Sequence, residues 1–403
     1  MDAPPTRTPD PPIVTTVAQT VAQPRRDPAN SFVLHAPLEL LARVGLVRLA
    51  PPEYRAAVTE RFRAMVDEWN AFSEPVDAPA EDAIPSSAGA SAALLSDALD
   101  AGSVETADAA AIGCTRTFRP DEFGALLGSS VLTRTSAAAH AGIFFHLLPR
   151  VAPRGEVSSA VFRPLARELA RQPDWRIRWC DELAPSDASA EDLFAAIAAT
   201  PTVEAHPAGF VHPTMMRVEE TGIADDLLRH CIPSNHHVAA ARVLQRAAAL
   251  TMLQEPDEHA PYGWSHALTM TQGVLSLVDA GPDPTHVIAI AATYLVGFRA
   301  SFARRALRAG DRPERSDLHW SDALDAGSAA AAGSVFHAER SEHEAIVRTL
   351  AGRGASHPDA HLAKYTLACF DAAAFDPEAT AIYLAAAAHL HGVWASGPGG
   401  FDG

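Results

Sequence analysis

The sequence predicts an all-α protein: a multi-helix, bundle-like single large domain with an internal cavity. Three observations predict this. Alanine and leucine dominate and alternating β-branched runs are scarce, which favours helix over strand. Apolar residues recur at helical spacing through most of the chain. The 403 residues are 48% hydrophobic, enough for a large core.

Residues 1–30 are proline-rich and read as a flexible tail or an extended arm. They lack the basic start and apolar stretch of a secretory signal. The helical domain is expected over 31–396, with a Gly-rich tail at 397–403. HAPLELLARVGLVRL has Pro37 placed as a first-turn residue. PPEYRAAVTERFRAMVDEWNAF is a second helix, with Tyr54, Val58, Phe62, Met65, Val66 and Trp69 on one side. Residues 73–90 form a Pro/Ser/Ala-rich loop. Further helices are expected near 91–101, 130–148, 158–171, 190–199, 221–231, 234–254, 263–280, 284–308, 334–352, 359–373 and 377–395. The best strand candidate, WRIRWC at 175–180, is short. The octapeptide SDALDAGS occurs at 96–103 and again at 321–328. Its flanks do not match, so it reads as chance recurrence in a biased composition.

Charge narrows the partners. A formal net charge of −17 repels nucleic-acid phosphates and anionic membranes. The longest apolar run, 287–298, is shorter than the roughly 20 residues that span a bilayer. The reading is a cytoplasmic protein whose partner is a small molecule. Four cysteines without CxxC spacing suggest reduced thiols rather than a disulfide framework. GxxxxGK[ST], GxSxG, HExxH and Glu-x-x-His are all absent. No flavin motif is present, and nothing offers the parallel sheet of a dinucleotide-binding domain.

What stands out is 18 histidines on an apolar helical framework. Imidazole titrates near neutrality and binds metals. His35, His140, His146, His212, His266 and His361 all sit in or beside apolar helical runs, where convergence on one cavity is the sharp reading and a hydrogen-bonded core histidine the bland one. His35 and Glu39 have i,i+4 spacing. His140 and His146 are about 600° apart around a helix and share no face.

Lys364 is the only lysine; the remaining 31 of the 32 basic residues are arginine. It lies in HPDAHLAKYTLACF. Pro358 forces His357 out of helical geometry, so His357 and His361 only mimic an i,i+4 metal pair. Asp359 suits the first turn of a helix expected to begin at Pro358. His361 and Lys364, three apart, share a face beside the apolar stripe of Leu362, Tyr365 and Cys369. A lysine there can hold an anionic oxygen, or act as an acid if its pKa is lowered.

These pieces resemble the questin oxidase-like family. HPDAHLAKYTLAC is similar to its C-terminal D-x-H-x-x-K pattern through Asp359, His361 and Lys364. LHAPLELLARVG resembles its early N-H-G-P-M helix, with His35 and Pro37 matching. VLTRTSAAAH resembles an internal R-T-x-H segment through Arg134 and Thr135, but His140 is displaced by three positions. FVHPTM resembles a later V-H-x-x-T segment, with Thr214 one residue too near His212. The resemblance runs from about residue 31 to the C-terminus.

The resemblance implies an oxygenase acting on an aromatic polyketide or related polycyclic aromatic in secondary metabolism. It implies a Baeyer–Villiger-like ring oxidation with NADPH as electron donor. Oxygen is then activated either by a metal held by histidines or by the ionised substrate itself. On this reading the candidate catalytic residues are His361, Lys364, His35, His212 and His266. The candidate substrate contacts are Arg134, His140, Phe144, Trp264 and Asp359. A carrier for a hydrophobic ligand and a cofactor-free cyclase or hydrolase are the alternatives.

Overall fold

Pro284 stands at the first helical position and the Asp283 carboxylate accepts from the Thr285 N–H at 2.8 Å, so a helix begins here. Apolar residues then surround it on every side, and it is buried continuously from Val287 to Ala300. The computed structural model places this helix at the centre of a helical domain and describes residues 11–151, 157–184, 186–203 and 210–397. In chain order the α-helices are α1 (Pro11–Val21), α2 (Ser31–Val47), α3 (Arg55–Phe72), α4 (Ala88–Ala101), α5 (Val104–Thr117), α6 (Phe123–Val131), α7 (Ala141–Val151), α8 (Phe162–Arg171), α9 (Ala190–Ala198), α10 (Val211–Glu220), α11 (Ile223–Leu228), α12 (His237–Gln254), α13 (Ser265–Leu275), α14 (Pro284–Phe302), α15 (Trp320–Ala323), α16 (Ser328–Phe336), α17 (His343–Ser356), α18 (Ala360–Phe375) and α19 (Thr380–Ala395).

The all-α expectation holds. Among the described residues there is no strand, and the 175–180 segment contributes only an isolated bridge between Arg134 and Arg176. α13, α14, α18 and α19 are buried on nearly all sides and form the inner layer. α14 is long and apolar enough to cross a membrane, but 78% of its apolar window is buried inside the molecule, as expected of a core helix.

Several boundaries differ from expectation. Residues 11–21 form a helix instead of a tail. Val14, Val17, Ala18 and Val21 fall at i, i+3, i+4 and i+7 and are buried, with α1 packed against α3. The following segment is tied to the loop after α3, with the Arg26 N–H donating to Glu74 O at 2.9 Å and the Val76 N–H to Pro24 O at 2.9 Å. The prolines at 4, 5, 9, 11 and 12 precede or open this helix, where they cost it nothing. The expected 397–403 tail lies, beyond Gly397, outside the described residues.

α2 begins at Ser31, capped by Asn30, whose side chain accepts from the Val33 N–H at 2.9 Å, so Pro37 lies inside the helix. α18 begins at Ala360 with Asp359 as its cap, while His357 is extended, as its following proline requires. The two SDALDAGS copies differ. One ends α4, with Gly102 at φ 69°, and the other runs through α15 and a turn to Gly327 at φ 110°. They are not a structural repeat.

The expected 130–148 helix is broken between α6 and α7. Ala137, Ala138 and Ala139 adopt φ of 50°, 50° and 57°. This left-handed turn costs non-glycine residues roughly 1–2 kcal/mol each, and His140 follows it directly. Gly142 and Gly273 allow α7 and α13 to touch backbone to backbone. A Cβ on Gly273 would meet Ile143 N at 2.5 Å and Gly142 C at 2.8 Å. Gly273→Ala is expected to destabilise the fold by about 3 kcal/mol or more. A urea unfolding midpoint equal to that of the parent would contradict this.

Candidate functional site: a buried histidine cluster beneath an aromatic cavity

Three helices and the turn before a fourth deliver one histidine each to a common point. His35 comes from α2, His140 from the residue before α7, His266 from α13 and His361 from α18. Ring centroids are 4.7 Å apart for His35 and His140, 4.4 Å for His35 and His361, 4.8 Å for His266 and His361, and 5.8 Å for His140 and His266. All four are buried.

Backbone and carboxylate acceptors set the tautomers. His35 Nδ1 lies 2.6 Å from Ser31 O, and His266 Nδ1 is bonded to Tyr262 O. A carbonyl only accepts, so both Nδ1 atoms carry the proton and both Nε2 atoms keep a lone pair. Those two Nε2 atoms, and both ring nitrogens of His140, are buried without a hydrogen-bond partner. His361 Nδ1 pairs with Asp359 Oδ1 at 3.1 Å, and its backbone N–H donates to the same oxygen at 2.6 Å. His35, His140 and His266 offer nitrogens within 4.8 Å of one another. Three nitrogens on one tetrahedral ion lie about 3.4 Å apart, since each bond is about 2.1 Å. The rings must therefore close by up to about 1.4 Å to share one ion.

Burial pushes His35, His140 and His266 well below the usual imidazole pKa, and the nearby Lys364 and His361 lower them further. His361 is lowered by burial and Lys364 against the opposing pull of Asp359. Burial alone would raise the Asp359 carboxyl, but its bonds from His361 hold it at about 2. Burial brings the Lys364 amine down to about 7 against Asp359 and Glu39, and its Nζ has no partner. The cluster is thus a set of uncharged nitrogen donors at neutral pH.

A cavity of about 700 Å³ opens above it. His35, His266, His361 and Asp359 form its floor, and Phe32, Phe210, Tyr262 and Phe302 its aromatic walls. Phe210 and Phe302 stack at 5.9 Å, and Tyr262 stands edge-on to His361 at 4.8 Å. Tyr262 belongs to a π-turn, Ala260–Trp264, that opens α13 and aims Tyr262 O at His266. Lys364 and His140 are not among the lining residues; they form a layer behind the floor.

One buried ionic network fixes the floor. Glu39 does not pair with His35. It accepts from Arg43 Nε at 2.7 Å and Arg61 Nε at 2.7 Å. Arg43 also donates to Ala355 O at 2.6 Å, Gly354 O at 3.2 Å and Pro358 O at 3.4 Å, fixing the start of α18 against α2. Arg43→Ala is expected to cost about 3–5 kcal/mol, because it leaves a buried carboxylate half-paired and three carbonyls unmet. Denaturant unfolding measures this directly.

The structure separates the remaining candidates from the site. His212 bonds Thr135 Oγ1 at 2.6 Å and stacks on Trp175 at 3.9 Å, away from the cavity lining. Arg134 is held by Asp100, by Ser130 O at 2.9 Å and by Pro173 O at 3.2 Å, as a structural clamp. Phe144 is a core residue packed on Phe162 at 5.4 Å and Phe123 at 6.4 Å. Trp264 is fully buried behind Gly263, edge-on to Phe302 at 6.2 Å, and does not line the cavity. Tyr262, Phe210 and Phe302 were not singled out from sequence. Only Tyr262, four residues before His266 on a helical pattern, carried a readable signal. Searches against protein-family models, curated proteins and solved structures find no match for the chain.

Proposed function

We propose that the chain is an oxygenase that holds one redox-active metal ion on His35, His140 and His266, with His361 beside them, and oxidises a planar aromatic of the polyketide type. The observation carrying this reading is the convergence of buried, unpartnered nitrogens from separate helices, two with their lone pairs fixed by carbonyls. Uncharged imidazoles suit iron and copper, the ions among their usual partners with redox chemistry towards dioxygen. Such an ion, when bound, supplies the redox chemistry with dioxygen that the side chains alone lack.

The chain's own residues do the rest. Phe32, Phe210, Tyr262 and Phe302 stack on a flat ring and exclude water from it. Tyr262 and Asp359 present hydrogen-bonding groups to its oxygen substituents. Lys364 tolerates a neighbouring cation because its amine sheds its proton near neutrality; an arginine there would stay charged. Among the described residues, the same wall gives the phosphates of NADPH no free cation. Arg61 is already held by Glu39 and Glu68, and Glu258 and Asp359 add negative charge. NADPH is therefore not assigned to this cavity.

The test is metal analysis of the purified chain, then anaerobic loading with iron(II) or copper(I), and measurement of oxygen uptake with hydroxylated anthraquinones, with NADPH in solution as the two-electron donor that insertion of one oxygen atom requires. One ion per chain and substrate-dependent oxygen uptake are expected. Metal-free protein that binds the aromatic without consuming oxygen would replace this reading with that of a carrier.

A further inference from the structure

A second cavity, of about 320 Å³, shares no lining residue with the first. It is built further along two of the same helices. Gln272 lies six residues after His266 on α13, and Asp371 ten residues after His361 on α18.

Its floor is a fixed pair of amides. Gln272 and Gln245 are both buried. Gln272 Nε2 donates to Ala368 O at 3.0 Å and to Gln245 Oε1 at 3.2 Å. Because Ala368 O can only accept, it sets the orientation of the Gln272 amide, and Gln272 in turn sets that of Gln245. Gln245 Nε2 and Gln272 Oε1 are left unpaired on residues that line the cavity, one a donor and the other an acceptor. His237 Nε2, on another wall, is buried without a partner.

Charge on the walls is spent or acidic. Asp371 takes His146 Nε2 at 3.0 Å and the Arg150 guanidinium, and Asp279 adds a second carboxylate at the rim. Among the described residues no unpaired cation lines the cavity, so a carboxylate would gain a hydrogen bond from Gln245 but no opposite charge. The mouth is apolar. Val238 and Phe375, two of the five exposed large hydrophobic residues among those described, both line it, and Arg242 lies 5.8 Å over the Phe375 ring.

We propose that this cavity is a second small-molecule site, one that takes an uncharged planar ligand bearing an adjacent hydrogen-bond acceptor and donor. An aryl carboxamide is the simplest example. Its carbonyl accepts from Gln245, its N–H donates to Gln272, and its ring sits between Val238 and Phe375. The inference stands on its own residues and is independent of the metal reading.

Benzamide titrated into the full chain by calorimetry tests it, with benzoate as the charged counterpart. Benzamide is expected to bind one to one at about 1 mM, as suits so small a ligand. Benzoate is expected to bind at least about tenfold more weakly. Val238→Trp fills the mouth from an exposed position, and Gln245→Leu removes the donor; each is expected to weaken benzamide at least about tenfold. Circular dichroism checks that both variants fold. The proposal is overturned by absence of binding up to about 10 mM, by equal affinity for benzoate, or by affinity unchanged in both variants. Loss of binding on Phe302→Trp instead would place benzamide in the first cavity and also overturn it.

Discussion

His266→Ala is expected to leave the chain folded and almost without metal. The side chain supplies one of three converging nitrogens, and its Nε2 has no protein partner to lose. Loss of an outer partner of a metal ligand already costs about 10–100-fold in affinity, so loss of the ligand itself should cost at least about 100-fold. Metal content after dialysis, read beside circular dichroism, measures it. His140→Ala should behave alike although it does not line the cavity, because it supplies another of the three converging nitrogens and both its ring nitrogens are buried unpaired. His212→Ala, at the Trp175 stack, should retain its metal. A His266→Ala chain that kept one ion would remove the histidine cluster from the proposal.

Lys364→Met is expected to lower turnover by about 10–100-fold, the usual cost of altering a group behind metal-binding residues, while making the metal-free protein more stable. The second effect follows from burial. The folded amine titrates at about 7 against an ordinary value of 10.5. Between those values the unfolded chain binds the proton that the folded chain refuses, so stability rises with pH across that window. The cost of the buried amine is complete below about pH 7 and fades towards pH 10.5. Methionine removes it, so the gain in melting temperature should be larger at pH 6 than at pH 9. Lys364→Arg separates charge from size: a permanent cation beside the imidazoles should prevent metal loading. A Lys364→Met chain with normal turnover would make the lysine merely structural.

Much of the fold could be read locally. The Asp283–Pro284 start of α14, the Pro358 break before α18 and the apolar periodicity of α3 are properties of neighbouring residues. The failures have physical causes too. α1 was hidden because prolines suggested a tail, although Val14, Val17, Ala18 and Val21 carry helical spacing. The break before His140 was invisible because three alanines, good helix formers, are held in left-handed geometry by their surroundings.

The candidate site divides in the same way. His35, His266, His361, Lys364 and Asp359 were marked by their residue types and apolar neighbours, and all five lie at or beside the cluster. Arg134, Phe144, Trp264 and His212 were marked on the same grounds and lie elsewhere. Sequence by itself determined that this is a helical protein with titratable groups embedded in apolar faces, because helix periodicity and chemical identity are local. Only the tertiary structure decided which of those groups meet. Four of the histidines are brought together from positions 35, 140, 266 and 361 by the Gly142–Gly273 contact and the Arg43 clamp. Such long-range packing depends on how distant surfaces fit, and nothing within a helix turn of each histidine encodes it.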